Sequence, residues 1–494
     1  MSRPNVVIFN PDQWRGDVLG HLGNPGAVTP NLDAMVAQDG VSFSQAFCQN
    51  TVCTPSRCSF MTGWYPHVRG HRTMYHMLQP DEPMLLRTLK EAGYTVWWGG
   101  KNDVVPAQNG YGTYCDVKYR PVGSRPSWDL EPERAWRGEP GNPRYHSFFR
   151  GVIDLPAGEE RYYDSDWANV EGAIDWTRQR DPDSGPFCLY LALTYPHPPY
   201  AVEKSWRQQI DAERVPARRS TPDDWSEKSR MMASIYRRQQ LQELTNEEWR
   251  ELRAVYYAMC TRVDDQFGRL VQALKGQGLY ENTAIFVFSD HGDFTGDYGL
   301  VEKAQNCMED SLTRVPLVIK PPRGFAVQAG VRSDLVELID VPATIEAMTG
   351  VQPNHRHFGR SLLPLIAGQP DPSTRDAVFC EGGRLAGESE AMEKESVEGM
   401  PRPEDSLYWP RLSVQYEDDV AHSKAIMCRT STHKYVYRLL GRDELYDLLK
   451  DPEEEQNRIS DQAYEPIRRQ MEHRVLQFLT ETVDVVRQTP DRRM

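Results

Sequence analysis

Cys53, Pro55 and Arg57 stand in the run Cys53-Thr54-Pro55-Ser56-Arg57, and their spacing brings a nucleophile and a cation together. Proline suits the first turn of a helix, where its missing N–H would have had no intrahelical partner. A helix that opens here and continues through 58–62 sets Cys53 at its N-terminus. That end carries free N–H groups and partial positive charge, which attract anions. Arg57, four residues on, projects from the same face. A thiol, a helix N-terminus and a guanidinium then converge on one tetrahedral anion. The plainer alternative is a reduced structural thiol at a helix start.

Two carboxylates are placed for related work. Asp12 lies just past the apolar run 5–10, and Asp290 just past the apolar run 284–289. Open α/β sheets bind ligands at this edge, outside the carboxyl ends of their strands. Gln13 follows the first acid, and His291 and Gly292 follow the second.

The elements that must position these groups are legible in part. Runs at 5–10, 95–98, 187–194, 284–289 and 315–320 read as buried strands between helical patterns. This predicts an α/β sheet covered on both faces. Thr245 and Glu248 form a capping box, and Leu252, Val255, Tyr256, Met259, Val263, Phe267, Leu270 and Leu274 follow at helical spacing until Gly276 and Gly278. Segments 106–156 and 382–403 read as long loops, either lids or surface excursions. A boundary near 368–375 divides a catalytic domain, 1–372, from a smaller α+β domain, 373–494, with an antiparallel sheet. In the latter, 414–420, 423–430 and 434–439 read as short strands and 465–482 as a closing helix. Trp97, Trp98, Tyr111, Tyr114 and Trp409 could line a pocket, although large aromatics more often fill cores.

Composition sets the outer bounds. The 494 residues are 39% hydrophobic and 26% charged, an ordinary balance for a chain long enough to bury a large core. A net charge of −14 argues against a nucleic-acid partner, and the basic run 214–219 reads as local surface. Nine scattered cysteines with no repeated CxxC argue against structural zinc or a disulfide framework. The first apolar run is too short for an export signal, and none reaches membrane length. The expectation is a cytoplasmic protein with no membrane partner.

The run at 53–57 resembles the sulfatase signature Cys-x-Pro-Ser/Ala-Arg. Further matches follow in family order, among them Thr29-Pro30-Asn31-Leu32-Asp33, Thr62-Gly63-Trp64-Tyr65-Pro66, Asp340-Val341-Pro342-Ala343-Thr344 and Glu444-Leu445-Tyr446-Asp447. Across nearly its whole length the chain resembles formylglycine-dependent type I sulfatases of the alkaline phosphatase superfamily, near the choline-sulfatase and phosphonate monoester hydrolase branch. The resemblance implies an alkaline-phosphatase-like fold, with a mostly parallel central sheet flanked by helices and a smaller C-terminal α+β part. It implies that a formylglycine-generating enzyme oxidises Cys53 to formylglycine. It also implies one divalent metal, Ca2+ foremost with Mg2+ or Mn2+ as alternatives, held by Asp12, Gln13, the modified Cys53, Asp290 and His291. Gln13 replaces a second carboxylate, and its amide oxygen would ligate without adding charge.

Lys101, His197 and Lys303 match cations that contact the sulfate and the leaving oxygen. The implied route has a hydroxyl of the formylglycine hydrate attack sulfur in line, with Arg57, Lys101, Lys303 and the metal stabilising the equatorial oxygens. His197 then protonates the departing alcohol, and the second hydroxyl expels sulfate. Asp103 departs from the pattern, standing where the family has a histidine; it is expected to hold Lys101 or to bind substrate donors. The implied substrate is a small-molecule or sugar sulfate ester, and an oligomer is left open. A phosphonate monoester or phosphodiester hydrolase on the same scaffold is the alternative, and a noncatalytic binding protein a further one.

Overall fold

Strand β1 (Asn5–Asn10) is apolar over most of its length because both its faces are covered. Val7 and Phe9 point into one core, and Val6 and Ile8 into another, as side chains on a strand alternate. The first core is closed by the helix Asn246–Gly276, which supplies Leu252, Val255, Met259, Val263, Phe267 and Leu270. The second is closed in part by the helices Cys53–Thr62 and Asp340–Thr349, through Cys58, Phe60, Met61, Val341 and Ile345. The computed structural model describes residues 3–125, 136–155, 157–159, 161–181, 184–393, 400 and 402–486.

Parallel neighbours flank β1: β6 (Phe187–Ala192) on one side and β8 (Thr283–Phe288) on the other. Beyond β6 lie β3 (Thr95–Gly100) and β4 (Val117–Lys118), again parallel. Beyond β8 the sheet turns mixed. The expected strand 315–320 is split by Pro316 into β9 (Arg314–Val315) and β10 (Leu317–Lys320), because proline donates no ladder hydrogen bond. β10 runs antiparallel to both β8 and β2 (Val41–Phe47), and β11 (Gly330–Glu337) closes this edge parallel to β2. β5 (Phe149–Ile153), inside the first predicted long loop, pairs with β7 (Tyr200–Glu203) in a separate ribbon.

The C-terminal sheet is antiparallel, in the order β12 (Val378–Gly382), β13 (Ala425–Arg429), β14 (His433–Arg438) and β15 (Glu444–Asp447). The helix Glu465–Thr482 covers it with Met471, Val475 and Phe478. Segment 414–420 is not a strand: the helix Trp409–Glu417 occupies most of it, opened by Pro410 in its first turn. Trp97, Trp98 and Tyr114 are core residues. Parts of the two predicted loops, 126–135, 156, 394–399 and 401, lie outside the described residues. All nine cysteines are buried and unbridged, and among the described residues no helix is long and apolar enough to cross a membrane.

Four neighbouring parallel strands, in the order β8, β1, β6 and β3, thus point their carboxyl ends at one edge. Gly100 ends β3 with a φ of 85°, directly before Lys101. A Cβ at this position would lie 1.9 Å from the Ala192 carbonyl oxygen of β6. Gly100→Ala should therefore cost roughly 2–4 kcal/mol of stability, read from urea unfolding. Gly112→Ala, with no heavy atom within 4 Å of its Cβ, should cost far less. Equal stability of the two variants would contradict the close approach.

Candidate active site

Asp12 and Asp290 each stand two residues beyond the end of their strand, and Arg57 joins them. Its Nε donates to Asp290 Oδ2 at 2.8 Å and its Nη2 to Asp12 Oδ2 at 3.0 Å. Its Nη1 lies 3.3 Å from the Tyr190 hydroxyl oxygen. All three charged side chains have no exposed surface. Burial pushes the Asp12 carboxyl up, but Lys101 and Arg57 outweigh it and hold it well below its usual range. Asp290 is tied further: its backbone carbonyl accepts from Ser56 Oγ at 2.5 Å, and its Oδ1 accepts from the Gln13 N–H at 3.1 Å. Arg57 thus braces the two acids rather than standing free for a substrate.

Cys53 opens the helix Cys53–Thr62, as its spacing predicts. Its Sγ lies 3.5 Å from both Asp12 oxygens and 3.2 Å from His291 Nε2. Burial, and then Asp12, push the thiol far above its ordinary range. His291 Nδ1 is 2.9 Å from the Gly292 carbonyl, which assigns the proton to Nδ1 and leaves the Nε2 lone pair facing Cys53 and the acids. Burial lowers this imidazole to about 4, so it is neutral and able to ligate.

Lys101 follows β3 and reaches Asp12 Oδ2 at 2.5 Å. Asp103 Oδ2 lies 3.0 Å from Lys101 Nζ and 3.8 Å from Arg57 Nε. Lys303 and His197 form a second pair. Lys303 Nζ donates to Gln13 Oε1 at 2.6 Å and meets His197 Nε2 at 2.7 Å. His197 Nδ1 lies 2.6 Å from the Pro198 carbonyl, which again assigns the proton to Nδ1 and makes Nε2 the acceptor. Burial and Lys303 keep this imidazole well below its ordinary pKa.

Donor atoms of Asp12, Cys53, Asp290 and His291 all lie within 4.8 Å of one another and are buried. Their chemistry fits a divalent cation, since carboxylate oxygens and a neutral imidazole nitrogen converge. An oxygen donor in place of the Cys53 sulfur would make the shell one for a hard ion. Gln13 stands apart from these four. Its oxygen is taken by Lys303, and its Nε2 donates to the buried Asp293 at 2.5 Å.

The Sulfatase family profile matches residues 4–351. The chain belongs to the sulfatase family. Arylsulfatase K of Canis lupus familiaris is 24% identical over 480 residues, spanning 91% of this chain and 78% of that protein. A multifunctional alkaline phosphatase superfamily protein of Trinickia caryophylli is 26% identical, spanning 97% and 95%. The crystal structure of the phosphonate monoester hydrolase of Agrobacterium radiobacter matches with a TM-score of 0.73 at 23% identity, over 99% of this chain and all of that one; the likeness extends the fold to the whole sulfatase chain.

Several supporting residues of this sulfatase site were missed by the sequence reading. Asn10 Nδ2 ties the end of β1 to the Phe288 carbonyl of β8 at 2.9 Å. Ser289 Oγ accepts from the Trp14 N–H at 2.7 Å. Asp293 collects Tyr200 at 2.7 Å besides Gln13. Their sequence signal was position alone, beside an acid at a strand end. Removing either braced acid tests the cation site. Asp12→Asn and Asp290→Asn should each weaken divalent-metal affinity by about 10-fold or more, read by elemental analysis after dialysis. Metal content equal to that of the unaltered protein would contradict the assignment.

Proposed function

We propose that the chain hydrolyses sulfate esters of small molecules or sugars, releasing the alcohol and inorganic sulfate. One observation carries the reading: Cys53 sits against Asp12, Asp290 and His291 at the mouth of four parallel strands, with Lys101 and Lys303 beside it. Oxidised to formylglycine, residue 53 would supply a hydrated aldehyde with two hydroxyls, one to attack sulfur and one to let sulfate leave. Cys53 is 1% exposed, so its formylglycine-generating enzyme must meet it before the chain folds. A divalent metal, Ca2+ in this reading, would be held by Asp12, Asp290, His291 and residue 53, and would supply Lewis-acid charge beside the attacking oxygen.

The chain's own groups do the rest. Arg57 donates to both acids and holds them in place. Lys101 and Lys303 flank the equatorial sulfate oxygens, where fixed charges in a buried site stabilise developing charge. The alcohol oxygen leaves with the S–O electron pair and takes a proton. His197 has its Nδ1–H on a backbone carbonyl and its Nε2 on Lys303, so the proton comes from the Lys303–His197 pair, with Lys303 as its holder, rather than from an isolated imidazolium.

The phosphonate alternative keeps one specific support, the fold match to a phosphonate monoester hydrolase. A turnover panel separates the two. Metal-loaded protein with confirmed modification should give kcat/KM for sulfate esters at least about 10-fold above that for phosphonate monoesters and phosphate diesters of the same alcohol, a difference of about 1.4 kcal/mol in transition-state binding. The reverse preference would replace the sulfatase reading.

A further inference from the structure

Glu302 is a buried acid in a backbone conformation that disfavours it. Its φ is 65°, it is 1% exposed, and no glycine relieves the left-handed turn. Such a conformation is strained for a residue with a Cβ and persists only where its surroundings fix it. Here its N–H donates to the Tyr200 hydroxyl oxygen at 2.9 Å and its carbonyl accepts from the Phe294 N–H at 3.1 Å. The carboxylate is shared. One oxygen lies 3.3 Å from Lys303 Nζ, the other 3.4 Å from Arg411 Nε.

Arg411 comes from the helix Trp409–Glu417, far along the chain. Its Nη1 donates to the buried Glu393, and its guanidinium lies 4.9 Å from the Tyr408 ring centre. A buried line of alternating charge therefore runs Glu393, Arg411, Glu302, Lys303 and ends on His197.

The distances say how Lys303 is held. Charge-assisted hydrogen bonds run at about 2.7–2.9 Å. Lys303 makes contacts of that length or shorter with Gln13 and His197, at 2.6 and 2.7 Å, and a longer one with Glu302. Without Arg411, nothing on that line would draw the Glu302 carboxylate away from the neighbouring ammonium. A lysine on a flexible four-carbon stem would then close onto the acid and leave His197.

We propose that Glu302 and Arg411 are positioning residues for Lys303: Arg411 draws Glu302 off the ammonium, so that Lys303 stays aimed at His197 and the leaving oxygen. The proposal rests on the sulfatase reading for the identity of that oxygen. It makes the helix Trp409–Glu417 part of what sets the catalytic geometry.

Leaving-group dependence tests it. A good leaving group such as 4-nitrophenolate departs without a proton, whereas an alkyl alcohol needs one. Arg411→Met should lower kcat on an alkyl sulfate about 10-fold or more and change kcat on 4-nitrophenyl sulfate less than about 2-fold, with KM little altered. Arg411→Lys should recover most of the loss. Glu302→Gln, which keeps shape and removes charge, should show the same selective loss. Equal losses on both substrates, no loss on either, or failure of both Arg411→Met and Glu302→Gln to fold would overturn the proposal in favour of a purely structural role. A wild type that turns over phosphonate monoesters and not sulfates would refute the sulfatase reading alone, and the same comparison of good and poor leaving groups, run on phosphonates, would still decide the role of Arg411.

Discussion

Arg57 has no exposed surface and lies between two carboxylates that have none either. The rest of the site depends on this contact. Two buried acids at adjoining strand ends would repel, and one would be driven to take up a proton. A guanidinium that donates to both offsets that repulsion and holds the pair together, as its planar fork allows. Because Arg57 belongs to the helix that begins at Cys53, the same contact fixes the distance from residue 53 to both acids. Ser56, donating to the Asp290 carbonyl, adds a second stitch between that helix and the loop after β8. Taking one partner from a buried ion pair costs on the order of 3–5 kcal/mol, so the brace serves stability as well as ligand geometry.

Around this brace the backbone is held in conformations that side chains usually avoid. Gln13, Thr295, Tyr298, Glu302 and Asn306 all have positive φ, and all lie in the segments that follow β1 and β8. Gln13 shows how such a position is secured. Its N–H goes to Asp290, its carbonyl accepts from Tyr256, and its amide bridges Lys303 and Asp293. Strain concentrated beside the reacting groups fits a site whose parts must be in place before substrate arrives.

Much of this was legible in the sequence, for physical reasons. Strands covered on both faces, such as β1, β6 and β8, read as unbroken apolar runs. The helix from Cys53 announced itself through Pro55, and the long helix through the Thr245–Glu248 box, which forms as expected. Asp12 and Asp290 were found because each directly follows such a run. β2 was not found, since Ser42, Ser44 and Gln45 interrupt its pattern. Segment 414–420 was misread because Val414 and Tyr416, alternating with Gln415 and Glu417, mimic strand alternation inside a helix. Arg57's turn toward the acids, the diversion of Gln13 to Lys303, and the Glu302–Arg411 contact all join residues distant in the chain. No local pattern encodes such pairs.

The central claim is that residue 53 acts only in oxidised form, set against Asp12, Asp290 and His291. Its most direct test is peptide mapping by mass spectrometry of preparations made with graded amounts of formylglycine-generating enzyme, each assayed for kcat under saturating divalent metal. The account predicts that activity rises in proportion to the aldehyde fraction at residue 53 and vanishes when that position is entirely thiol. Full activity in protein whose Cys53 remains a thiol would contradict it.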